Sequence, residues 1–251
     1  MLASQLLFLL IALIVLLGFN ELFRRSRTAA VFFLFVVPII LTPFWIVGAS
    51  HYVFTWTKLY SIIAYAGLYV LFYAAWFRQK SWAKILFPIF LAINITEAVL
   101  QDASLMIAPS IINACSGLLL ILTIPRWKDI AVDTTSAVHD VIWPQMSWLW
   151  IGSYVVWNWT FVYLGFPEHA AYHAIVLLAC VIPALFKRTL WLQARVYTLA
   201  VWMICFFTFY DVIMRNAIIL PRPYEFLLAA SLVSLSFNVV NFVVTHRKSI
   251  V

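Results

Sequence analysis

The stretch that decides the fold runs from Leu2 to Arg27 and reads LASQLLFLLIALIVLLGFNELFRRSR. It contains no charged residue before Glu21, and a cluster of arginines follows directly. A helix needs about 20 mostly apolar residues to cross the hydrocarbon core of a bilayer. The stretch therefore predicts a membrane-spanning helix over about residues 2–22. Because its basic residues follow the apolar run, it resembles a retained anchor more than a cleaved signal peptide.

The composition of the whole chain points in the same direction. Of its 251 residues, 66% are hydrophobic and 10% are charged, whereas globular chains are roughly 45–50% apolar and about 25% charged. This composition excludes a soluble enzyme, a disordered scaffold, a coiled coil and a disulfide-stapled secreted domain. Cys115, Cys180 and Cys205 all lie inside apolar segments and lack the spacing of a metal site, so they are predicted to be small buried side chains.

Further apolar segments of similar length follow the first one. The predicted spans are 2–22, 29–48, 58–77, 84–101, 104–125, 142–166, 169–186, 193–217 and 223–245. The linkers between them are short, so the chain is predicted to form one integral membrane domain over residues 1–251. The predicted fold class is an all-α polytopic membrane protein with about nine transmembrane helices. Kinks are expected at Pro38, Pro88 and Pro183, where the backbone lacks a hydrogen-bond donor.

The distribution of basic residues predicts the orientation. Cytoplasmic loops of membrane proteins carry an excess of Lys and Arg. With nine spans and an outside N-terminus, only Lys58, Arg215 and Arg222 fall on the outer side. The cytoplasmic side holds the rest of the 16 basic residues: Arg24, Arg25, Arg27, Arg78, Lys80, Lys84, Arg126, Lys128, Lys187, Arg188, Arg195, Arg247 and Lys248. The C-terminus is thus predicted to be cytoplasmic, and the net charge of +7 reflects topology and not binding of nucleic acid.

Several short stretches, in order along most of the chain, carry a resemblance to a known family. They are Asn20-Glu21-Leu22 with Arg24-Arg25-Ser26, Val37-Pro38-Ile39, Leu91-Ala92-Ile93-Asn94-Ile95 with Glu97-Ala98-Val99, Asp140-Val141-Ile142-Trp143-Pro144, Trp157-Asn158, Pro167-Glu168-His169-Ala170 and Trp191-Leu192-Gln193-Ala194-Arg195. They resemble an uncharacterised bacterial multi-pass membrane protein family, catalogued as a domain of unknown function. The resemblance implies an integral protein of the cell membrane and implies no activity.

Polar residues inside the predicted spans are the candidates for function, because ionisable groups in hydrocarbon are costly unless they are paired or hydrated. With the predicted topology, most of them fall in the outer half of the bilayer. The set is Glu97, Gln101, Asp102, Asn113, Asn158, Glu168, His169, His173, Tyr210, Asp211 and Arg215. This distribution predicts a polar cavity that opens toward the outside and narrows toward the midplane.

Two groups of polar residues have helical spacing. The first shares one helix face, which either lines a ligand or proton pathway or forms hydrogen bonds between helices; it consists of Asn94, Glu97, Gln101 and Asp102. Asp102, further along, is expected to reach interfacial water. Asp211 and Arg215 are four residues apart and form either a structural ion pair or, with Tyr210 and a facing Asn158, an anion or proton site.

Residues with metal-ligand chemistry also occur near the predicted outer surface. His169 and His173 lie four residues apart, and Glu168 precedes them. The chain has no HExxH motif and no second histidine cluster within the membrane. It also lacks GxSxG, Walker A and Gly-rich dinucleotide motifs. We therefore predict no metal, no cofactor and no catalytic residue from motifs alone.

Three functions fit these observations. The first is a transporter or permeation pathway for a small polar or ionic solute, with Glu97 and Asp211 as proton or cation groups. The second is an intramembrane enzyme acting on a lipid or isoprenoid, with Glu97, Asp211 and His173 as acid–base groups. The third is a structural or sensory subunit in which polar residues only hold helices together. The expected partners are the lipid bilayer and a small solute or lipid ligand.

The basic-residue distribution generates a prediction about topology. Cysteines introduced beside Lys80, Arg126 and Arg188 should react with a membrane-impermeant thiol reagent only from the cytoplasmic side. Cysteines introduced beside Ala103 and Pro167 should react only from outside, because those connections carry few basic residues. If the cysteine beside Pro167 reacts from the cytoplasmic side, Glu168 and His169 lie on that side, which would contradict the predicted outward cavity.

Overall fold

The computed structural model describes residues 2–48, 53–135 and 140–247, and most of them are helical. Lys248, one of the predicted cytoplasmic residues, lies outside these ranges. In chain order the helices are α1 (Leu2–Arg25), α2 (Arg27–Val31), α3 (Val37–Gly48), α4 (Val53–Phe72), α5 (Ala75–Arg78), α6 (Leu86–Ser104), α7 (Ala108–Leu122), α8 (Trp148–Gly165), α9 (Ala170–Phe186), α10 (Trp191–Thr208), α11 (Tyr210–Arg215) and α12 (Tyr224–Arg247). The predicted all-α fold is therefore confirmed.

Shorter elements join the helices. A π-helical turn over Phe32–Val36 links α2 to α3, and 3₁₀ turns over Ser81–Ile85, Pro167–His169 and Arg188–Leu190 precede α6, α9 and α10. The connection between α7 and α8 contains two short antiparallel strands. These are β1 (Ala131–Val132) and β2 (Val141–Ile142).

Six helical stretches of the described chain are long and apolar enough to cross a membrane. They are Leu2–Arg25, Arg27–Gly48, Ser81–Ser104, Pro167–Phe186, Arg188–Thr208 and Tyr224–Arg247. The helix Ala108–Leu122 is apolar but shorter. These helices indicate a membrane protein, while the count of nine spans and the orientation remain predictions.

Helix α12 shows a distribution of residues that is typical of membrane helices. From Ser231 onward its buried face consists of small and polar residues: Ser231, Ser234, Asn238 and Asn241. Its exposed face carries large apolar residues, including Leu232, Phe237 and Val240. In water this pattern would be unfavourable, whereas in lipid the apolar face is solvated and the polar face finds partners in neighbouring helices.

The three prolines with predicted kinks lie in different helical contexts. Pro38 is the second residue of α3, just after the π-helical turn, where the regular α-helical hydrogen bonds change. Pro183 lies inside α9, close to its end at Phe186. Pro88 is the third residue of α6 and follows a 3₁₀ turn. The kinks themselves stay predictions.

The chain forms two compact units. Unit 1 comprises Met1–Phe87, Trp127–Pro144 and Ile175–Ala217, and unit 2 comprises Pro88–Arg126, Gln145–Ala174 and Ile218–Val251. The long helices α1, α4 and α10 belong to unit 1, and α7, α8 and α12 belong to unit 2. Helices α6 and α9 contribute residues to both units.

Helix α10 forms the centre of unit 1. Every residue from Trp191 to Ile204 is buried, and the helix packs against α1 and α4. Tyr197 makes edge-to-face ring contacts with Phe23 of α1 and with Tyr69 of α4, at centroid distances of 5.6 and 5.9 Å. Such aromatic contacts stabilise packing beyond simple apolar burial.

Arg195 was assigned to a cytoplasmic connection because it follows other basic residues in the sequence. In the structure it lies within α10, and only 3% of its surface is exposed. Arg195 is therefore a buried cation of unit 1 and carries no information about orientation. The excess of basic residues on the predicted cytoplasmic side does not depend on this one residue.

A buried carboxylate holds the ends of three segments of unit 1 together. Asp140, directly before β2, is 1% exposed and accepts two hydrogen bonds of 2.8 Å from Arg24 at the end of α1. Gln193 of α10 donates to the same carboxylate at 3.0 Å and accepts the backbone N–H of Val141 at 2.7 Å. A carboxylate that accepts two parallel hydrogen bonds from one guanidinium forms charge-assisted bonds, which are stronger than hydrogen bonds between neutral groups.

A second ion pair lies in the same connection. The Lys187 ammonium contacts the carboxylate of Asp133, and Thr135 donates to that carboxylate through its backbone N–H and its hydroxyl. The bond from Lys187 and those from Thr135 hold the pKa of Asp133 well below its usual value. The pair is therefore fully ionised at neutral pH, and its contribution is lost only as the pH falls through the lowered pKa.

The Asp140 cluster generates a stability prediction. Asp140→Ala leaves the half-buried Arg24 without its main partner, so the free energy of unfolding should fall by about 3 kcal/mol. Asp129→Ala is the matched control, because Asp129 lies in the same connection and is exposed; its effect should stay within about 0.5 kcal/mol. Thermal unfolding in detergent measures both variants. Equal losses would show that the Asp140 cluster does not hold the fold together.

Candidate functional site

Unit 2 contains a carboxylic acid that is completely enclosed by protein. Asp102, near the end of α6, is 0% exposed. Its Oδ2 atom accepts a hydrogen bond of 2.7 Å from the side-chain amide of Asn113, which is also 0% exposed. Its Oδ1 atom is buried and has no hydrogen-bond partner. The expectation that Asp102 reaches interfacial water was therefore wrong.

Asn113 connects this acid to two further helices. Its amide oxygen accepts a bond of 2.8 Å from Ser234 of α12, and its backbone oxygen accepts one of 3.1 Å from the indole of Trp157 in α8. Its amide nitrogen also lies 3.4 Å from the backbone oxygen of Trp157. One side chain of α7 thus bonds to α6, α8 and α12.

Gly117 allows the close approach that these bonds require. It lies on α7, one turn after Asn113, where a side-chain Cβ would be 2.8 Å from the indole nitrogen of Trp157 and would also collide with Val99 of α6. Small residues at helix contacts let two backbones approach closely in membrane proteins. The position of Asn113 relative to Trp157 therefore depends on the absence of a side chain at Gly117.

A second polar pair lies beside Trp157. The Nε2 atom of His173, in α9, is 2.7 Å from the amide oxygen of Asn158, in α8. Both residues are buried, with 8% and 6% exposure. Because an amide oxygen only accepts, the Nε2 atom of His173 is the donor in this bond. Asn158 directly follows Trp157, so α8 contacts Asn113 and His173 through two consecutive residues.

The other candidates on α6 are less buried than Asp102. Asn94 is 7% exposed, whereas Glu97 and Gln101 are half-buried. The buried face of α6 follows a helical spacing through Leu91, Asn94, Ile95, Ala98, Val99 and Asp102. Asp102 continues this face and Glu97 lies at its edge. That spacing is the signal in the sequence from which the burial of Asp102 could have been predicted.

The three candidates on α11, which follows α10, lie in an exposed environment. Tyr210, Asp211 and Arg215 belong to unit 1, and all three are exposed. In the part of the chain that the structure describes, Asp211 forms no ion pair with Arg215, although both lie on the short helix α11. The ion-pair alternative was therefore wrong: both side chains are exposed, where an ion pair contributes little to stability. That Asp211 and Asn113 both line the outward polar cavity stays a prediction.

The candidate metal ligands are also distributed differently from a metal site. His169 lies 3.5 Å from Glu168 within the 3₁₀ turn before α9, and both are half-buried. His173 is deeper and is bonded to Asn158. Within residues 2–48, 53–135 and 140–247, no group of three or more His, Cys, Asp or Glu residues is arranged to hold a metal ion.

Sequence reasoning missed the cluster of unit 1 around Asp140 and Gln193. Both residues lie in stretches that carried the family resemblance, and Arg24 lies in a third such stretch. These three stretches are far apart in the sequence and come together only in the folded chain. Helical spacing could not reveal this cluster, since Asp140 lies in a connection.

The fold and the enclosed polar pairs define a class: an all-α protein with several helices apolar enough to span a membrane, and with acids and amides inside its helical units. The chain belongs to a family described as "Family of unknown function (DUF5692)", whose model matches residues 1–251. No curated protein and no solved structure matches the chain.

The bonds of Asn113 generate a prediction with a matched control on the same helix. Ser234→Ala removes the hydroxyl that donates to Asn113, so the free energy of unfolding should fall by about 1 kcal/mol. Ser236 is exposed and bonds only to a carbonyl of its own helix; Ser236→Ala should change stability by less than about 0.5 kcal/mol. Thermal unfolding in detergent compares the two, and an equal effect would contradict the structural importance of the Asn113 bonds.

Proposed function

We propose that this protein is a proton-coupled transporter of a small polar or ionic solute in the plasma membrane of a bacterium. In this proposal the chain crosses the membrane about nine times, with its N-terminus outside, and Asp102 is the acid that takes up and releases the proton. The resemblance to a bacterial membrane family and the distribution of basic residues support the location and orientation.

The burial of Asp102 is the observation that carries the proposal. It is an acid with 0% exposure in a helix apolar enough to span a membrane. Its one hydrogen-bond partner is the neutral amide of Asn113, and among the described residues no cation forms an ion pair with it. Ionisable residues in this situation are costly to bury and mark proton and substrate pathways in many transporters.

The chemistry of the site favours proton exchange over a purely structural bond. An asparagine or serine at position 102 could also accept a bond from Asn113, with a lower cost of burial. Only an acid adds the ability to change its charge by binding a proton. His173, in the same unit, is a second group that can exchange protons, and its Nε2 atom is hydrogen-bonded to Asn158.

A structural role is the second candidate, and a specific observation favours it. Several polar residues of unit 2 bond directly to one another across helices, including Asn241 with Thr123 at 2.8 Å and Ser153 with the Phe237 carbonyl at 3.1 Å. Bonds of this kind stabilise helix contacts in lipid. The two candidates differ in whether Asp102 exchanges a proton.

Two measurements test the proposal. Infrared difference spectra between acidic and alkaline buffers should contain a carboxyl C=O band that Asp102→Asn removes and Asp102→Glu shifts. Liposomes loaded with a pH-sensitive dye and challenged with a panel of small polar solutes should show solute-dependent proton movement. In Asp102→Asn that movement should fall to the level of protein-free liposomes, because the amide cannot carry a proton.

Glu225→Gln is the control, because Glu225 is also an acid of unit 2 but is exposed in the first turn of α12. It should leave both signals unchanged. If Asp102→Asn retains the full pH-dependent spectrum and matches the wild-type protein in the proton assay, the transport proposal fails. Loss of stability alone, with no change in either signal, would leave the structural role standing.

A further inference from the structure

Unit 1 contains a pocket that is independent of the Asp102 site. It has a volume of about 310 Å³, at the lower end of the range for small-molecule sites. Its polar end is formed by Asn20, Glu21 and Arg24 of α1 together with Lys187, which follows α9. Its apolar wall consists of Leu17, Ile182, Pro183, Phe186 and Leu190. The pocket is therefore amphipathic.

The cations of the pocket retain unused hydrogen-bond donors. Asp140 accepts bonds from Nε and Nη2 of Arg24, and Glu21 accepts one from Nη1 at 2.7 Å. A guanidinium has five N–H donors, so one donor remains on each terminal nitrogen. These bonds also fix the orientation of the guanidinium. Lys187, held by Asp133, retains further donors. The arrangement suits a phosphate group.

Asn20 supplies a hydrogen-bond acceptor, whereas Arg24 and Lys187 supply donors. It is 2% exposed, and its Oδ1 atom is buried without a hydrogen-bond partner. An unsatisfied buried acceptor is costly, so a ligand that donates a hydrogen bond to this atom would be stabilised there. Next to it, Glu21 offers a half-exposed carboxylate. The polar end of the pocket therefore combines donors for an anion with acceptors for an N–H or O–H group.

The apolar wall continues along helices toward the surface of the unit. Leu10, Ile14 and Leu17 lie on one face of α1, at spacings of four and three residues. Leu10 and Ile14 are 52% and 60% exposed, and Phe186 at the end of α9 is 88% exposed. In a membrane protein such a face is in contact with lipid chains. It leads from the hydrocarbon directly to the polar end.

We propose that this pocket binds a glycerophospholipid whose headgroup carries both a phosphate and an N–H or O–H donor, such as phosphatidylethanolamine. Arg24 and Lys187 bind the phosphate. Asn20 and Glu21 accept hydrogen bonds from the ammonium or hydroxyl group. The acyl chains lie along Leu17, Ile14 and Phe186. The basic residues that end α1 place this pocket at headgroup level, where Lys and Arg attract lipid phosphates.

Phosphatidylcholine is the discriminating ligand, because it carries the same phosphate and the same chains but its quaternary ammonium has no N–H donor. Glycerophosphoethanolamine carries the headgroup without chains and tests whether the polar end alone is sufficient. Delipidated protein is mixed with each of these three probes, and native mass spectrometry measures the retained ligand. The wild-type chain should retain phosphatidylethanolamine about tenfold more strongly than phosphatidylcholine, as expected for one hydrogen bond to a charged group.

The variants separate the headgroup contact from the rest of the pocket. Asn20→Leu should abolish the preference for phosphatidylethanolamine, and Asn216→Leu, the same change in unit 1 outside the pocket, should preserve it. Ile182→Trp fills the apolar part and should reduce retention of both lipids, which tests the pocket even if Asn20→Leu folds poorly. Equal retention of the two lipids by the wild type, an unchanged preference in Asn20→Leu, or binding of glycerophosphoethanolamine as strong as that of the lipid would overturn the proposal.

Discussion

The hydrogen bonds of Asn113 are the interaction on which unit 2 depends. Hydrocarbon offers no hydrogen-bond partner, so each polar group inside a membrane protein must be bonded within the protein. Asn113 meets this requirement for three other helices at once, through Asp102, Trp157 and Ser234. Gly117 makes the approach sterically feasible. Because these bonds use directional groups on four helices, they determine the register of the helices more precisely than apolar packing would.

Unit 1 meets the same requirement with charge. Asp140, Arg24 and Gln193 form an ion pair and an amide bridge that join a connection to the ends of two helices. A fully paired carboxylate of this kind is fixed, whereas Asp102 in unit 2 is bonded only to a neutral amide. The two buried acids therefore differ in the chemistry that they can perform. Asp140 fixes the orientation of the Arg24 guanidinium, and the proposal of proton exchange at Asp102 rests on its burial beside a neutral amide.

Apolar segments were predictable because each depends only on local composition. The end of α1 is an example: a long apolar run stops at a cluster of basic residues, and the helix ends there at Arg25. The burial of Asp102 was also within reach, since it continues the spaced face that contains Asn94 and Ile95. The ion-pair alternative for Asp211 and Arg215 failed, because a spacing of four residues on one helix permits a contact but does not require it, and both side chains are exposed.

By itself, the sequence determined that this is an all-helical chain with helices suited to a membrane, because hydrophobicity over about 20 residues is a local property. It also indicated that polar residues within those helices must face protein. Only the tertiary structure decided which polar residues pair. Arg24, Asp140 and Gln193 come from three distant stretches, and Asp102, Asn113 and Ser234 from three helices. Such pairs depend on how helices are rotated and stacked, and that geometry arises from contacts between segments that no single stretch encodes.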